Sequence, residues 1–251
     1  MNKKWWLGAA IVLMGIVLIL GIIVWERYDY RQLTNLPSNA YLKKHIRKYP
    51  VQGIDISHHQ GKIDWQKVQH PDTLKQLKFV FIRASVGTEK DQRFKENWKA
   101  AGERRIAKGA YHYYWSDVNS TVQAQNFIHQ VNLVKGDLPP VLDIEDLSSK
   151  QSLASLRKGI KNWIEIVKKE FGVDPIIYTG DRFYLDYLQP DPFFKSYPRL
   201  WIANYNNVVA PESSWQIWQF TDRLPVQGIE TLVDGNVYKG SLSSFRELLI
   251  Q

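Results

Sequence analysis

Residues 199–238 read RLWIANYNNVVAPESSWQIWQFTDRLPVQGIETLVDGNVY. Three runs in this stretch are strand-like: RLWIANY (199–205), SWQIWQF (214–220) and LVDGNVY (232–238). Each is rich in aromatic and β-branched residues and is bounded by turn-forming ones. About ten residues without a helical period separate them. Such connections are too short for the usual helical crossover between parallel strands. The last part of the chain, from Arg199 on, is therefore built differently from what precedes it.

Upstream, strand-like runs alternate with helical ones. VQGIDIS (51–57), KFVFIRAS (78–85), KGAYHYYW (108–115), PPVLDIE (139–145) and DPIIYT (174–179) read as strands. Segments 92–105, 119–133 and 150–171 carry helical spacing, and Asp64–Gln69 and 181–189 read as shorter helices. Strand followed by helix, repeated, argues for a parallel sheet. Eight strands, five followed by helices and three not, predict an α/β fold: an irregular TIM-like (β/α)5(β)3 barrel over residues 51–251 whose last third lacks outer helices. A length of 251 residues suits one such domain. Hydrophobic residues at 44% supply its core, and ten Trp with thirteen Tyr leave aromatics over to line a groove.

Before the barrel, WWLGAAIVLMGIVLILGIIVW (5–25) runs for 21 residues without a charge. As a helix it would be about 30 Å long, the thickness of a bilayer's hydrocarbon core. A cleaved secretory signal is the rival reading, but its apolar region is shorter, about 7–15 residues, and Trp25-Glu26-Arg27 offers no small-residue cleavage site. Lys3 and Lys4 place residues 1–4 in the cytoplasm, and Trp5, Trp6 and Trp25 sit where interfacial aromatics belong. The expectation is a single-pass signal-anchor at 5–25, a polar tether at 26–50 and a barrel outside the cytoplasm.

The chain has no cysteine, which removes disulfides, thiol nucleophiles and thiolate metal sites. Its net charge is +8; residues 1–31 hold four basic and two acidic side chains, so +6 belongs to the remainder. That excess suits an anionic partner such as a cell-wall polymer or a membrane surface. No nucleic-acid-binding motif, metal-ligand spacing or phosphate-cradling loop is present, so neither nucleic acid nor a cofactor is expected. His58 and His59 would point apart on a strand and make a poor metal pair. A monomer is the default.

Active groups of a parallel barrel sit at the C-terminal ends of its strands. Asp55 lies near the end of the first run, Asp143 and Glu145 at the end of the fourth, and Asp234 near the start of the eighth. On a strand, Asp143 and Glu145 share a face about 6.6 Å apart at Cα, while Ile144 points into the helical layer. Two carboxyls so placed hold different proton affinities, as glycosidic cleavage requires. A helix cap or a lysine partner fits the local D-x-E motif equally well. Tyr111 and Tyr113 share a face opposite His112. Tyr178, Trp201, Asn204, Trp218 and Gln219 end later strands, where they can stack on or hydrogen-bond to sugar rings or simply fill the core.

The ordered set GIDISHHQGKIDW, FVFIRASVGTEKDQRF, AGERRIAKGAYHYYW, PPVLDIED, IIYTG, LWIANY, WQIWQF and VDGN resembles glycoside hydrolase family 25, the N-acetylmuramidase lysozymes, from Val51 to the C-terminus. The resemblance implies an irregular barrel of five β/α units plus three strands. It also implies hydrolysis of the β-1,4 bond between N-acetylmuramic acid and N-acetylglucosamine in peptidoglycan. It casts Glu145 as the general acid. Asp143 becomes the ionised partner that stabilises the transition state or orients the substrate's 2-acetamido group. Asp55 and Asp234 become groups that tune those acids or hold the sugar. An inert peptidoglycan-binding module and a hydrolase of chitin-like polymers are the alternatives; the full acid set argues against the first, and LPPVL, which lacks the extra aspartates of chitinases, against the second.

Overall fold

In the computed structural model, which describes residues 48–69, 77–205 and 210–251, eight strands close into a barrel. In chain order the strands are β1 (Val51–Ile56), β2 (Phe79–Val86), β3 (Glu89–Lys90), β4 (Ala107–Tyr113), β5 (Val141–Asp143), β6 (Ile176–Gly180), β7 (Leu200–Ala203), β8 (Ile217–Leu224) and β9 (Val233–Tyr238). Pairing follows β1-β9-β8-β7-β6-β5-β4-β2, β1 pairs with β2 to close the ring, and the two-residue β3 folds back on β2. Every ring pairing from β1 through β2 and β4 to β8 is parallel, whereas β9 is antiparallel to both β8 and β1.

Helices α1 (Phe94–Glu103), α2 (Ser120–Gln130) and α3 (Leu153–Phe171) pack outside the first half of the ring. Apolar spacing explains the longest: Leu156, Ile160, Trp163, Ile164 and Val167 fall on one face of α3 and are buried. Its ends are equally explicit, since the Ser152 hydroxyl caps Ser155 N–H and Gly172, at φ 70°, closes the last turn with its N–H on Lys168 O. After β6, α4 (Asp181–Phe183) runs into a π turn (Tyr184–Leu188), and α5 (Pro192–Lys195) follows.

Strand alternation divides the ring into two surfaces. Inward residues Val51, Phe79, Phe81, Val141, Ile176, Trp201, Ile217 and Tyr238 form one buried cluster. Aromatic bulk there excludes other side chains: a Cβ on Gly53 or Gly109 would stand 2.5 Å from Phe79 or Phe81 respectively. Outward Ile82, Leu142, Ile144 and Ile177 are fully buried too, as expected of a sheet covered on its outer face.

Several expectations are corrected. Asp64–Gln69 forms only a turn at 65–67. The β8–β9 loop takes its backbone groups: Asp64 N–H donates to Gly228 O at 2.8 Å, and Gln69 bridges to Gln227. The last strand does carry a helix, α6 (Leu242–Leu248), capped by Ser241, whose Phe245 and Leu248 join the interior cluster. Strand β8 runs later than 214–220 because two register shifts carry its pairing to Leu224. The domain begins before Val51, since buried Tyr49 packs 5.5 Å from Trp215. Among the described residues no helix is long and apolar enough to cross a membrane; the expected anchor at 5–25 lies outside them, as does nearly all of the expected tether.

Candidate active site

The C-terminal ends of the parallel strands surround a cavity of about 240 Å³. Asp55, Asp143, Glu145 and Asp234 all line it, together with Tyr111, Tyr113, Tyr178, Trp201 and Gln219. Asp234 reaches the mouth because β9 is reversed, so that its beginning lies beside the end of β1, with Asp234 opposite Asp55. Across the other side, Tyr113, Asp143, Tyr178 and Trp201 are neighbours on successive strands.

Asp143 ends β5 and is only 4% exposed, whereas Glu145, just beyond the strand, stands open to solvent. Ile144 between them is fully buried. Burial, followed by the neighbouring Glu145, pushes the Asp143 carboxyl well above the ordinary range. Partial desolvation of its carboxyl against the cavity wall also raises Glu145; its hydrogen bond with Asp143 pulls it down and Asp146 pushes it up. The two carboxyls thus favour one shared proton, with the deeper Asp143 raised the further of the two. Among the described residues, buried Asp143 Oδ1 has no hydrogen-bond partner.

The other pair is held differently. Asp55 Oδ2 accepts from Gln219 Nε2 at 2.8 Å and Asn236 Nδ2 at 2.6 Å. Burial raises Asp55 and these amides pull it back, leaving it at about 6. Asp234 is pushed up to about 9 by burial and then by Asp55. Around neutral pH Asp234 therefore carries a proton that it donates to Asp55. The amides are themselves fixed: Tyr178 Oη donates to Gln219 Oε1 at 2.7 Å, and Trp201 Nε1 donates to Asn236 Oδ1 at 2.8 Å.

Two expected sugar contacts lie elsewhere. Trp218 alternates with Gln219 and faces outward, where it packs near Tyr49, Trp215 and Phe220 and donates to Asn204 O at 2.9 Å. The Asn204 side chain turns to Asp181, donating at 2.9 Å. His112 also faces outward; it is buried, bonded to Ser85 Oγ and Gln123 Oε1, and stacked on Trp163. His58 and His59 lie on a 3-10 turn (His58–Gln60) rather than a strand, with ring centroids 4.1 Å apart, and the described residues hold no metal-type cluster.

Sequence reading assigned none of Arg83, His59, Gln60, Tyr205 and Asn236 to the site, though it weighed His59 as a metal ligand. The first four line the cavity. A signal existed for two of them. Arg83 is the one charge inside the apolar run FVFIRAS and has inward parity with Phe79 and Phe81. Asn236 lies two residues from Asp234 on the same strand face.

A family model described as Glycosyl hydrolases family 25 matches residues 54–229. The chain is 37% identical over 224 residues to the Escherichia coli K12 protein YegX, covering 87% of this chain and 79% of that one. It is 32% identical over 206 residues to Lysozyme M1 of Streptomyces globisporus, covering 76% and 68% respectively. Among solved structures, a bacterial lysozyme from Streptomyces coelicolor superposes with a TM-score of 0.71 at 30% identity, over 79% of this chain and 96% of that one.

Proposed function

We infer the activity from one premise: the chain belongs to glycosyl hydrolases family 25 and is a glycoside hydrolase. It is a lysozyme that cleaves the β-1,4 bond between N-acetylmuramic acid and N-acetylglucosamine in peptidoglycan. The observation that carries this reading is the placement of four carboxyls in one cavity, two of them two residues apart at the end of a parallel strand.

Glu145 is the general acid, because it stands in the open mouth where a glycosidic oxygen can approach. Asp143 lies too deep for that task. Its partnerless Oδ1 suits the N–H of a substrate 2-acetamido group. That N–H favours the ionised form of Asp143, so the shared proton passes to Glu145 as the substrate seats. The acetamido oxygen, oriented by Asp143, then attacks the anomeric carbon as Glu145 protonates the leaving oxygen, and water opens the resulting ring with Glu145 acting as base. Asp55, bridged to the last strand, holds the floor of the cavity. An inert wall-binding module would not need this proton-sharing pair.

The protein is anchored by residues 5–25, with residues 1–4 in the cytoplasm, 26–50 largely a tether and the barrel from 51 outside the cytoplasmic membrane. The uncharged 21-residue run preceded by two lysines supports that arrangement. Digestion of purified peptidoglycan by the full chain in detergent should release fragments whose reducing ends are N-acetylmuramic acid by mass spectrometry. Reducing ends of N-acetylglucosamine alone, or preference for chitin, would move the assignment to another hydrolase class. Protease shaving of spheroplasts should remove the barrel, and a protected barrel would overturn the topology.

A further inference from the structure

Four carboxyls share the cavity, yet one guanidinium is built into its wall. Arg83 is inward on β2, its side chain 11% exposed. Its Nε donates to Asp91 Oδ2 at 3.0 Å and its Nη2 lies 2.6 Å from His58 Nδ1, a ring nitrogen that is itself 3.0 Å from the same Asp91 oxygen. Asp91, at the β3–α1 junction, is buried and also accepts from His58 N–H at 3.0 Å and Arg93 N–H at 2.9 Å. Burial alone would raise Asp91, but these donors outweigh it and keep it below the usual carboxylate range. The guanidinium is therefore tied to an ionised carboxylate and a histidine turn, and cannot swing out to solvent without breaking both contacts.

We propose that Arg83, fixed by Asp91 and His58, is a positioning residue for the hydrolysis: its guanidinium is the stationary positive charge that faces Asp143 and Glu145 in the cavity wall. The proposal rests on the muramidase reading for its reaction, but its electrostatic content is independent of substrate. The charged and titratable groups facing the pair are Asp55 from β1, Arg83 from β2, Tyr111 and Tyr113 from β4, Tyr178 from β6 and Asp234 from β9. Asp146, Tyr205 and His59 complete the surroundings at the rim. Among the described residues, Arg83 is the one guanidinium or ammonium that lines the cavity. It draws Asp143 down against burial, Glu145 and Asp55, which all push it up. Asp91 acts in the opposite sense, as both anchor and partial screen of that charge.

This opposition supplies a test that a structural role would not pass. Arg83→Gln removes the cation, so both limbs of the activity-against-pH profile on peptidoglycan should move up by about one pH unit. Asp91→Asn unmasks the cation and should move both limbs down. The double variant should lie between, and Arg83→Lys should stay near the parent. Side-chain carboxyl NMR of the full chain in detergent, without substrate, reads the same quantity, with Asp143 titrating higher in Arg83→Gln and lower in Asp91→Asn. Shifts of the same sign in the two variants, or none, overturn the proposal, as does a parent-like titration in Asp91→Asn alone if Arg83→Gln does not fold. A parent that releases no muramic reducing ends sinks the muramidase reading, while the NMR titrations still decide the role of Arg83.

Discussion

Two carboxyl pairs face each other across one cavity and are built by opposite means. Asp143 and Glu145 are two residues apart at the end of one parallel strand, and their closeness follows from strand periodicity. Asp55 and Asp234 come from the first and last strands and meet only because β9 runs backwards. Their surroundings differ as well. Asp55 has two amide donors, each fixed by an aromatic donor, while Asp143 keeps a buried oxygen without a partner among the described residues. A carboxyl whose bonds are satisfied from within belongs to the scaffold of the cavity; one left unsatisfied inside it is poised for a ligand.

The contrast breaks most sharply at Glu145. Glu145→Gln keeps the shape but cannot donate an acidic proton, so turnover on peptidoglycan should fall about 10²-fold or more with the fold intact by circular dichroism. Parent-like turnover would end its role as the acid. Asp143→Asn should lose about 10-fold or more, because an amide cannot take the ionised form that steadies the acetamido group. The parent's profile should be bell-shaped, its alkaline limb reporting loss of the proton shared by the pair.

For the scaffold pair the effect should fall on stability. Asp234 is raised to about 9 in the folded state, so between about 4 and 9 the folded protein holds a proton that the unfolded chain has released. Its contribution is therefore full below about pH 4 and lost as pH rises through about 9. Asp234→Asn cannot ionise, so the fall in Tm between pH 5 and pH 9 should shrink by about 3 °C or more. An unchanged slope would show that Asp234 is not the proton holder.

The smallest expected effect on catalysis is at Trp218. Because it packs outside the ring, Trp218→Phe should cost about 1–3 kcal/mol of stability in denaturant unfolding and leave kcat/KM within about twofold. A large rise in KM would return Trp218 to the sugar site.

Sequence alone determined the elements whose signals are local. Alternation marked the strands, apolar spacing marked α3, and the D-x-E spacing at the end of β5 put two acids on one ridge with Ile144 turned away. The short gaps after Tyr197 foretold that the barrel would finish irregularly. Tertiary structure decided what depends on partners distant in the chain. Asp64–Gln69 is not a helix because a loop 164 residues downstream takes its Asp64 N–H. Trp201 and Trp218 read alike in sequence, yet the register of β7 and β8 turns one toward the cavity and the other away from it. Arg83 carried a local signal, a lone charge with inward parity in an apolar run, but its anchorage by Asp91 and His58 among the acids is a tertiary fact. A strand's period follows from backbone geometry that every residue carries with it. Proton affinity and the face that meets a ligand follow from burial and from partners that only the closed ring brings together.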